Sequence, residues 1–158
     1  MKIKTGIGQD SHAFESNSDK PLILAGVKFA NAKSLRGNSD ADVVLHSLTN
    51  AISSVTGKNI LGEIADDLCQ QGIEDSAEYL KCALIDLDEW QIEHIAISLE
   101  CLEPKISPQI KKMKESIAEQ CNITTSDVGI TATTGEGLTA FGRGEGIQAL
   151  TIITVSKA

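Results

Sequence analysis

The chain has 158 residues, a length for one folded domain with room for a core. Apolar residues at 41% and charged residues at 23% argue against intrinsic disorder. A net charge of −8 gives no electrostatic reason to seek nucleic acid or an anionic membrane, and aromatics at 3% are too few for a base-stacking platform.

Residues 1–9 alternate toward a strand, with Ile3, Thr5 and Ile7 on one side. A tract rich in Ser, Asn, Asp and Pro then gives a loop, and residues 22–29 form a second strand candidate. Ser39-x-x-Asp42 has the form of a capping box opening a helix. Val44, Leu45, Leu48, Ala51, Ile52 and Val55 recur at helical spacing, and Gly57 suits the stop. Residues 60–72 show no regular period. A second helix runs from 75–76 to about 87, burying Tyr79, Leu80, Ala83, Leu84 and Leu87. Residues 95–99 make a third strand, flanked by His94, a surface or supporting residue. Ser107-Pro108 reads as N-cap and N1 proline of a third helix with the stripe Ile110, Met113, Ile117 and Cys121. Residues 128–134 are a β-branched strand, 135–146 a glycine-rich loop, and 147–155 the last strand. This ββααβαββ order predicts an α+β chain: a sheet covered by helices on one face, its other face needing a partner.

No apolar run approaches the roughly 18–20 residues of a membrane span. The first residues have no apolar stretch after their lysines, so a secretory signal is not expected. The expected location is cytoplasmic, or a plastid-type stroma if a transit segment was removed. Cys69, Cys82, Cys101 and Cys121 contain no C-x-x-C pair and read as reduced thiols. A zinc site must therefore use histidines and carboxylates.

Asp10 and His12 are alternate residues of an extended segment, so both point to one side. His46 lies one helical turn after Asp42, off the apolar stripe and close to the helix N-terminus. Two imidazoles and one carboxylate make a three-ligand zinc set with an open fourth position. The plain alternative is a chance D-x-H pair with a distant histidine. In the tract Thr133-Thr134-Gly135-Glu136-Gly137, hydroxyls and free backbone N–H groups after a strand suit phosphate oxygens, and Glu136 suits a hard cation. A ligand-free turn is its alternative. Gly142-Arg143-Gly144-Glu145-Gly146 contains G-x-G but precedes a strand, which excludes the dinucleotide reading. Arg143 and Glu145 read as a buried or interfacial ion pair, or as exposed charges on a tight turn. Lys105, after Glu103-Pro104, is either a point charge for a phosphate or a solvated lysine.

In chain order, a glycine ahead of Asp10-x-His12-x-Phe14, then N-S-D-A-D-V-V-L-H, P-K, T-A-T-T-G-E-G and G-R-G-E-G-I closely resemble the 2-C-methyl-D-erythritol 2,4-cyclodiphosphate synthase family. The resemblance spans the chain, implying a single domain over 1–158. It implies a mixed four-stranded sheet with helices on one face, a short hairpin, and a homotrimer whose sheets face the central axis. It implies zinc, or another divalent transition metal, at Asp10, His12 and His46, and Mg²⁺ or Mn²⁺ at Glu136. Asn38 and Thr134 match positions thought to aid the transition state, and Ser39 the segment near the methylerythritol phosphate. Glu63, Ile64 and Ala65 match the ribose segment. Cys101, Pro104, Lys105, Ile106 and Ser107 match the cytidine and phosphate segment, and Thr133 and Gly135 the diphosphate tract. Arg143 matches a substrate-side residue and, with Glu145, a motif at a central cavity where an isoprenoid diphosphate can sit.

The departures are Asn38 for a usual His, Asn50 and Glu63 for Asp, Gly135 for Thr, Thr139-Ala140-Phe141 for Gly-Phe-Thr, and a shortened loop over 65–75. They cluster at substrate contacts and spare the metal ligands. The expected activity is the family's: cyclisation of a cytidyl diphosphate substrate with release of CMP, in non-mevalonate isoprenoid synthesis. A non-catalytic trimeric isoprenoid-diphosphate binder and a generic zinc hydrolase are the alternatives.

Overall fold

In the computed structural model, which describes residues 1–158, strand β1 (Lys2–Ala13) sorts its side chains by period two. Gly6 and Gly8 face helix α1 (Val43–Thr56). A Cβ on Gly6 would strike the Ala51 carbonyl, and one on Gly8 the Ser47 carbonyl and the Ala51 amide. The two glycines let the helix backbone lie directly on the strand. The same side of β1 continues to Asp10 and His12. The opposite side carries Ile3 and Ile7, 60% and 61% exposed.

Beyond β1 come the hairpin β2 (Leu22–Leu24) and β3 (Val27–Phe29), α1, α2 (Glu63–Gln70), α3 (Ser76–Asp86), β4 (Gln91–Glu100), α4 (Ile110–Cys121), β5 (Val128–Thr133) and β6 (Gly146–Lys157). The main sheet has the order β1-β6-β4-β5. Strand β6 is antiparallel to β1 and β4, and β5 is parallel to β4 across the α4 connection. Ile95, Ile97, Leu99, Val128, Ile147, Ala149, Ile153 and Val155 of β4, β5 and β6 are buried in one apolar cluster with Leu45, Leu48, Ile52, Leu80 and Met113 of the helices. Between α1 and β6, the buried Ser47 and Thr151 hydroxyls satisfy each other at 2.6 Å. The other sheet face is open: Leu150 and Ile152 of β6 pair with Gln9 and Ile7 and are exposed. The mixed sheet, the helices on one face and the hairpin agree with the sequence reading.

Several local expectations are corrected. Residues 22–29 fold back on themselves, because Ala25 (φ 56°) and Gly26 (φ 74°) make a two-residue left-handed turn. Asp42, rather than Ser39, is the N-cap of α1: its carboxylate accepts from Val44 N at 3.2 Å and Leu45 N at 3.0 Å. The same carboxylate accepts from the turn amides of Ala25 and Gly26 at 2.8 and 2.7 Å, tying the hairpin to the helix start. Burial pushes the Asp42 carboxyl up to about 6, against the pull of these N–H donors. Residues 60–72 contain α2, whose acidic Glu63 and Asp66 complement its N-terminus in place of a side-chain cap. Ser107 caps nothing; it opens a 3₁₀ turn, Ser107–Gln109, ahead of α4. His94 lies within β4, at a register shift, and is exposed.

Candidate metal centre

Asp10 and His12 leave β1 beside the first turn of α1, where His46 is 8% exposed. It is a buried histidine, although the helical pattern set it off the apolar stripe. Asp10 Oδ2 is 2.9 Å from His12 Nε2 and 3.1 Å from His46 Nδ1, and the two nitrogens are 3.4 Å apart. Ligands held about 2.0–2.1 Å from a tetrahedral ion lie about 3.3–3.4 Å from one another, close to these three edges.

Hydrogen placement points the same way. His12 Nδ1 is 2.8 Å from the Arg36 carbonyl, which can only accept. In the neutral ring, Nδ1 therefore carries the hydrogen and Nε2 turns a lone pair toward Asp10. His46 Nε2 is 2.7 Å from the Ser76 hydroxyl, and its Nδ1 faces Asp10 and His12. Two imidazole nitrogens and a carboxylate oxygen suit a divalent transition ion. Without an ion, a proton takes its place. The hydrogen bond to Asp10 holds the His12 imidazolium above 6.5, against the opposing effect of burial. Burial raises the Asp10 carboxyl, but its bonds to His12 and His46 and their charge prevail and hold it below 3.8.

The loop before α1 passes over this triad. A Cβ on Gly37 would come within 3.5 Å of the His12 ring. Asn38 follows and is exposed; Ser39 is buried, its hydroxyl accepting from Ala41 N at 3.1 Å. Lys20 Nζ donates to the carbonyls of Gly37 and Ser39 at 3.3 Å each, bracketing Asn38. No sequence pattern announced Lys20, because its partners are backbone atoms.

A second group of expected residues meets elsewhere. Cys101, Pro104, Lys105, Ile106, Ser107, Thr133 and Thr134 line one cavity of about 250 Å³. Cys101 and Ile106 are buried wall residues, and burial pushes the Cys101 thiol up to about 11, so it is no nucleophile. Glu136 is exposed at φ 50° and belongs to no ligand cluster within the single chain. Gly135 has φ 73°, and a side chain there would run into Glu100, whose carboxylate accepts from the Thr139 hydroxyl. Glu100 explains the glycine where the resemblance leads one to expect threonine. Glu63, Ile64 and Ala65 form the first turn of α2 and line neither the triad nor this cavity. Arg143 and Glu145 pair at 3.1 Å with both side chains more than half exposed, so the pair is not buried within the single chain.

Residues 3–156 match the YgbB family. Proteins from Chlamydia caviae and Chlamydia felis named 2-C-methyl-D-erythritol 2,4-cyclodiphosphate synthase are each 50% identical over 98% of this chain and 89% of their own. The bifunctional IspDF of Campylobacter jejuni superposes with a TM-score of 0.90 at 32% identity, over 99% of this chain and 43% of that one. A CDP complex of IspF from Plasmodium falciparum gives 0.82 at 26% identity, over 98% of this chain and 96% of that one. With fold, length and sequence in agreement, the chain belongs to the YgbB family.

Proposed function

We propose that this chain cyclises 4-diphosphocytidyl-2-C-methyl-D-erythritol 2-phosphate to the 2,4-cyclodiphosphate with release of CMP, as a phosphorus–oxygen lyase of isoprenoid synthesis. The convergence of Asp10 Oδ2, His12 Nε2 and His46 Nδ1 carries the reading, because two nitrogen lone pairs and a carboxylate aimed at one point call for a cation. Relatives named for this synthase at 50% identity support it and weigh against a non-catalytic binder.

The substrate supplies its own nucleophile: an oxygen of the 2-phosphate bonds to the β-phosphorus, and the bond from that phosphorus to the CMP oxygen breaks. The protein's task is to fold the substrate and stabilise phosphoryl charge. Asp10, His12 and His46 would hold a zinc or similar ion, and Glu136 an Mg²⁺ or Mn²⁺, which would supply Lewis-acid stabilisation of phosphate oxygens. Asn38, exposed between the two carbonyls that Lys20 holds and next to Gly37 beside the His12 ring, would offer an amide donor to a phosphate oxygen. Thr133 and Thr134 present hydroxyls at the rim of the second cavity, and Lys105 a point charge. Cys101 and Ile106 shape its wall, and Ser107 and the Pro104 carbonyl are available to a cytidine. Glu63, Ile64 and Ala65, which line neither site within one chain, would reach a substrate only across a subunit boundary, and Gly135 would contact it through its backbone.

The uncovered sheet face, with Ile3, Ile7, Leu150 and Ile152 exposed, supports assembly as a homotrimer around that face. Arg143 and Glu145 would then stand at a subunit boundary or a central cavity able to hold an isoprenoid diphosphate. No helix is long and apolar enough to cross a membrane. The test is direct: incubate purified protein with the cytidyl substrate and Mg²⁺ and follow CMP by phosphorus NMR. CMP and the cyclic diphosphate are expected, with turnover suppressed by a chelator. Near-normal turnover in zinc-free protein counts against the mechanism, and a product that incorporates solvent oxygen selects the hydrolase instead.

A further inference from the structure

Behind His46, away from Asp10 and His12, a chain of polar contacts runs into the start of α3. Ser76 is fully buried, with its hydroxyl 2.7 Å from His46 Nε2 and bonded on its other side to the Asp40 carboxylate. Neither residue belongs to the ligand triad or to the substrate segments. We propose that Ser76 and Asp40 are positioning residues of the metal centre, holding the His46 ring in the tautomer whose free Nδ1 faces Asp10 and His12. The inference rests on reading the triad as a metal site.

The direction of each hydrogen follows from counting donors. Asp40 Oδ1 also accepts from Asp42 N, and Oδ2 accepts from Ser76 N, both at 3.1 Å. A carboxylate so surrounded is an acceptor, so the single hydroxyl hydrogen of Ser76 goes to Asp40. The lone pair of that hydroxyl then faces His46 Nε2, which must carry the ring hydrogen. The neutral ring has no second hydrogen, and Nδ1 is left bare on the ligand side.

This arrangement opposes a competing bond. Asp10 Oδ2 lies 3.1 Å from Nδ1, so the other tautomer would donate an Nδ1 hydrogen to Asp10 and quench both ligand atoms. With Ser76 in place, that tautomer sets the bare Nε2 against a hydroxyl oxygen whose hydrogen is committed to Asp40. The Arg36 carbonyl does the same for His12, but through backbone. The Ser76–Asp40 pair is the half that side-chain substitution can reach. Asp40 also joins the two helix starts, since its amide donates to Glu74 O at 2.9 Å just ahead of α3. Partners that orient a metal-bound histidine in this manner typically govern metal affinity about 10- to 100-fold.

The experiment uses the full chain stripped of metal. Zn²⁺ is titrated against a competing chelator for the wild type and Ser76→Ala, and long-range ¹H–¹⁵N spectra of the metal-free wild type read the His46 tautomer above the pH of ring protonation. The expected results are a 10- to 100-fold weaker Zn²⁺ affinity for Ser76→Ala, and a wild-type His46 protonated at Nε2. Equal affinity in the two proteins, or a wild-type ring protonated mainly at Nδ1, overturns the proposal. If Ser76→Ala does not fold, the wild-type spectrum decides. A wild type that takes up no Zn²⁺ removes the metal centre itself and this inference with it, a failure distinct from normal uptake unaffected by Ser76→Ala.

Discussion

The metal triad draws its side chains from one strand and one helix, pressed together by Gly6 and Gly8, and each imidazole is oriented by a partner behind it. The cavity of about 250 Å³ between residues 101–108 and 132–134 is built the other way. Its threonines are exposed, its acidic neighbour Glu136 joins no cluster of three ligand groups, and the loop that follows is anchored by the Glu100 carboxylate and by backbone bonds to Leu102 and Phe14. The triad is complete within one chain and preorganised. The cavity offers hydroxyls, a lysine and backbone but no closed binding shell. Metal binding should therefore respond to changes in packing, whereas substrate binding should respond to changes in loop conformation and assembly.

His46→Ala tests the contrast most severely. It should abolish Zn²⁺ uptake and cut turnover well beyond the roughly 10- to 100-fold expected from loss of an outer partner, with the far-ultraviolet circular dichroism unchanged. Retained zinc would move the centre elsewhere. Gly8→Ala comes next, since the new methyl collides with the backbone of Ser47 and Ala51. Overpacking of this kind costs about 1–3 kcal/mol, and displacing α1 should weaken Zn²⁺ binding as well as lower the thermal midpoint. A variant with the wild-type midpoint and affinity would show that the close approach does not position the triad.

Gly135→Thr should disturb the other region alone. A β-branched residue at φ 73° costs about 1–2 kcal/mol and displaces Glu100. Weaker CDP binding by calorimetry with normal Zn²⁺ affinity is the expected pattern; a parallel loss of zinc would couple the two regions. The smallest effect concerns pH in the metal-free protein. Asp10 is lowered from 3.8, so its contribution is present above that value and is lost as pH falls through its folded pKa. His12 is raised from 6.5, so its contribution is full below that value and is lost as pH rises through its folded pKa. Scanning calorimetry in chelator should show this pair's stabilisation greatest between about 3.8 and 6.5. A midpoint with no such rise removes the ion pair.

How much of this the residues announced depended on whether the signal was local. Asp10-x-His12 was legible because period two is a property of extended chain, and α1 because its apolar positions repeat at helical spacing. Helix α2 was not: EIADDLCQ buries only Ala65, and Gly62 gives no capping side chain. Asp42 displaced Ser39 as the cap because its carboxylate also serves the hairpin turn, a contact no local window contains. Lys20, Ser76, Asp40 and Glu100 act across gaps of 17 to 39 residues, through backbone or hydroxyl partners. Their roles exist only once the chain is folded. The apolar Ile3 and Ile7 were legible as a strand face, and the structure adds that nothing in the same chain covers them.

The pairing of β1 with β6 has one more consequence. Lys2 lies opposite Lys157, so the start of the first strand and the finish of the last stand side by side at the same end of the sheet. From Lys2 to Asp10 the strand extends about 27 Å at roughly 3.4 Å per residue. A second catalytic unit fused to either terminus would attach well away from the ion-binding end, which makes this architecture a tolerant host for tandem enzymes and for reporter tags alike.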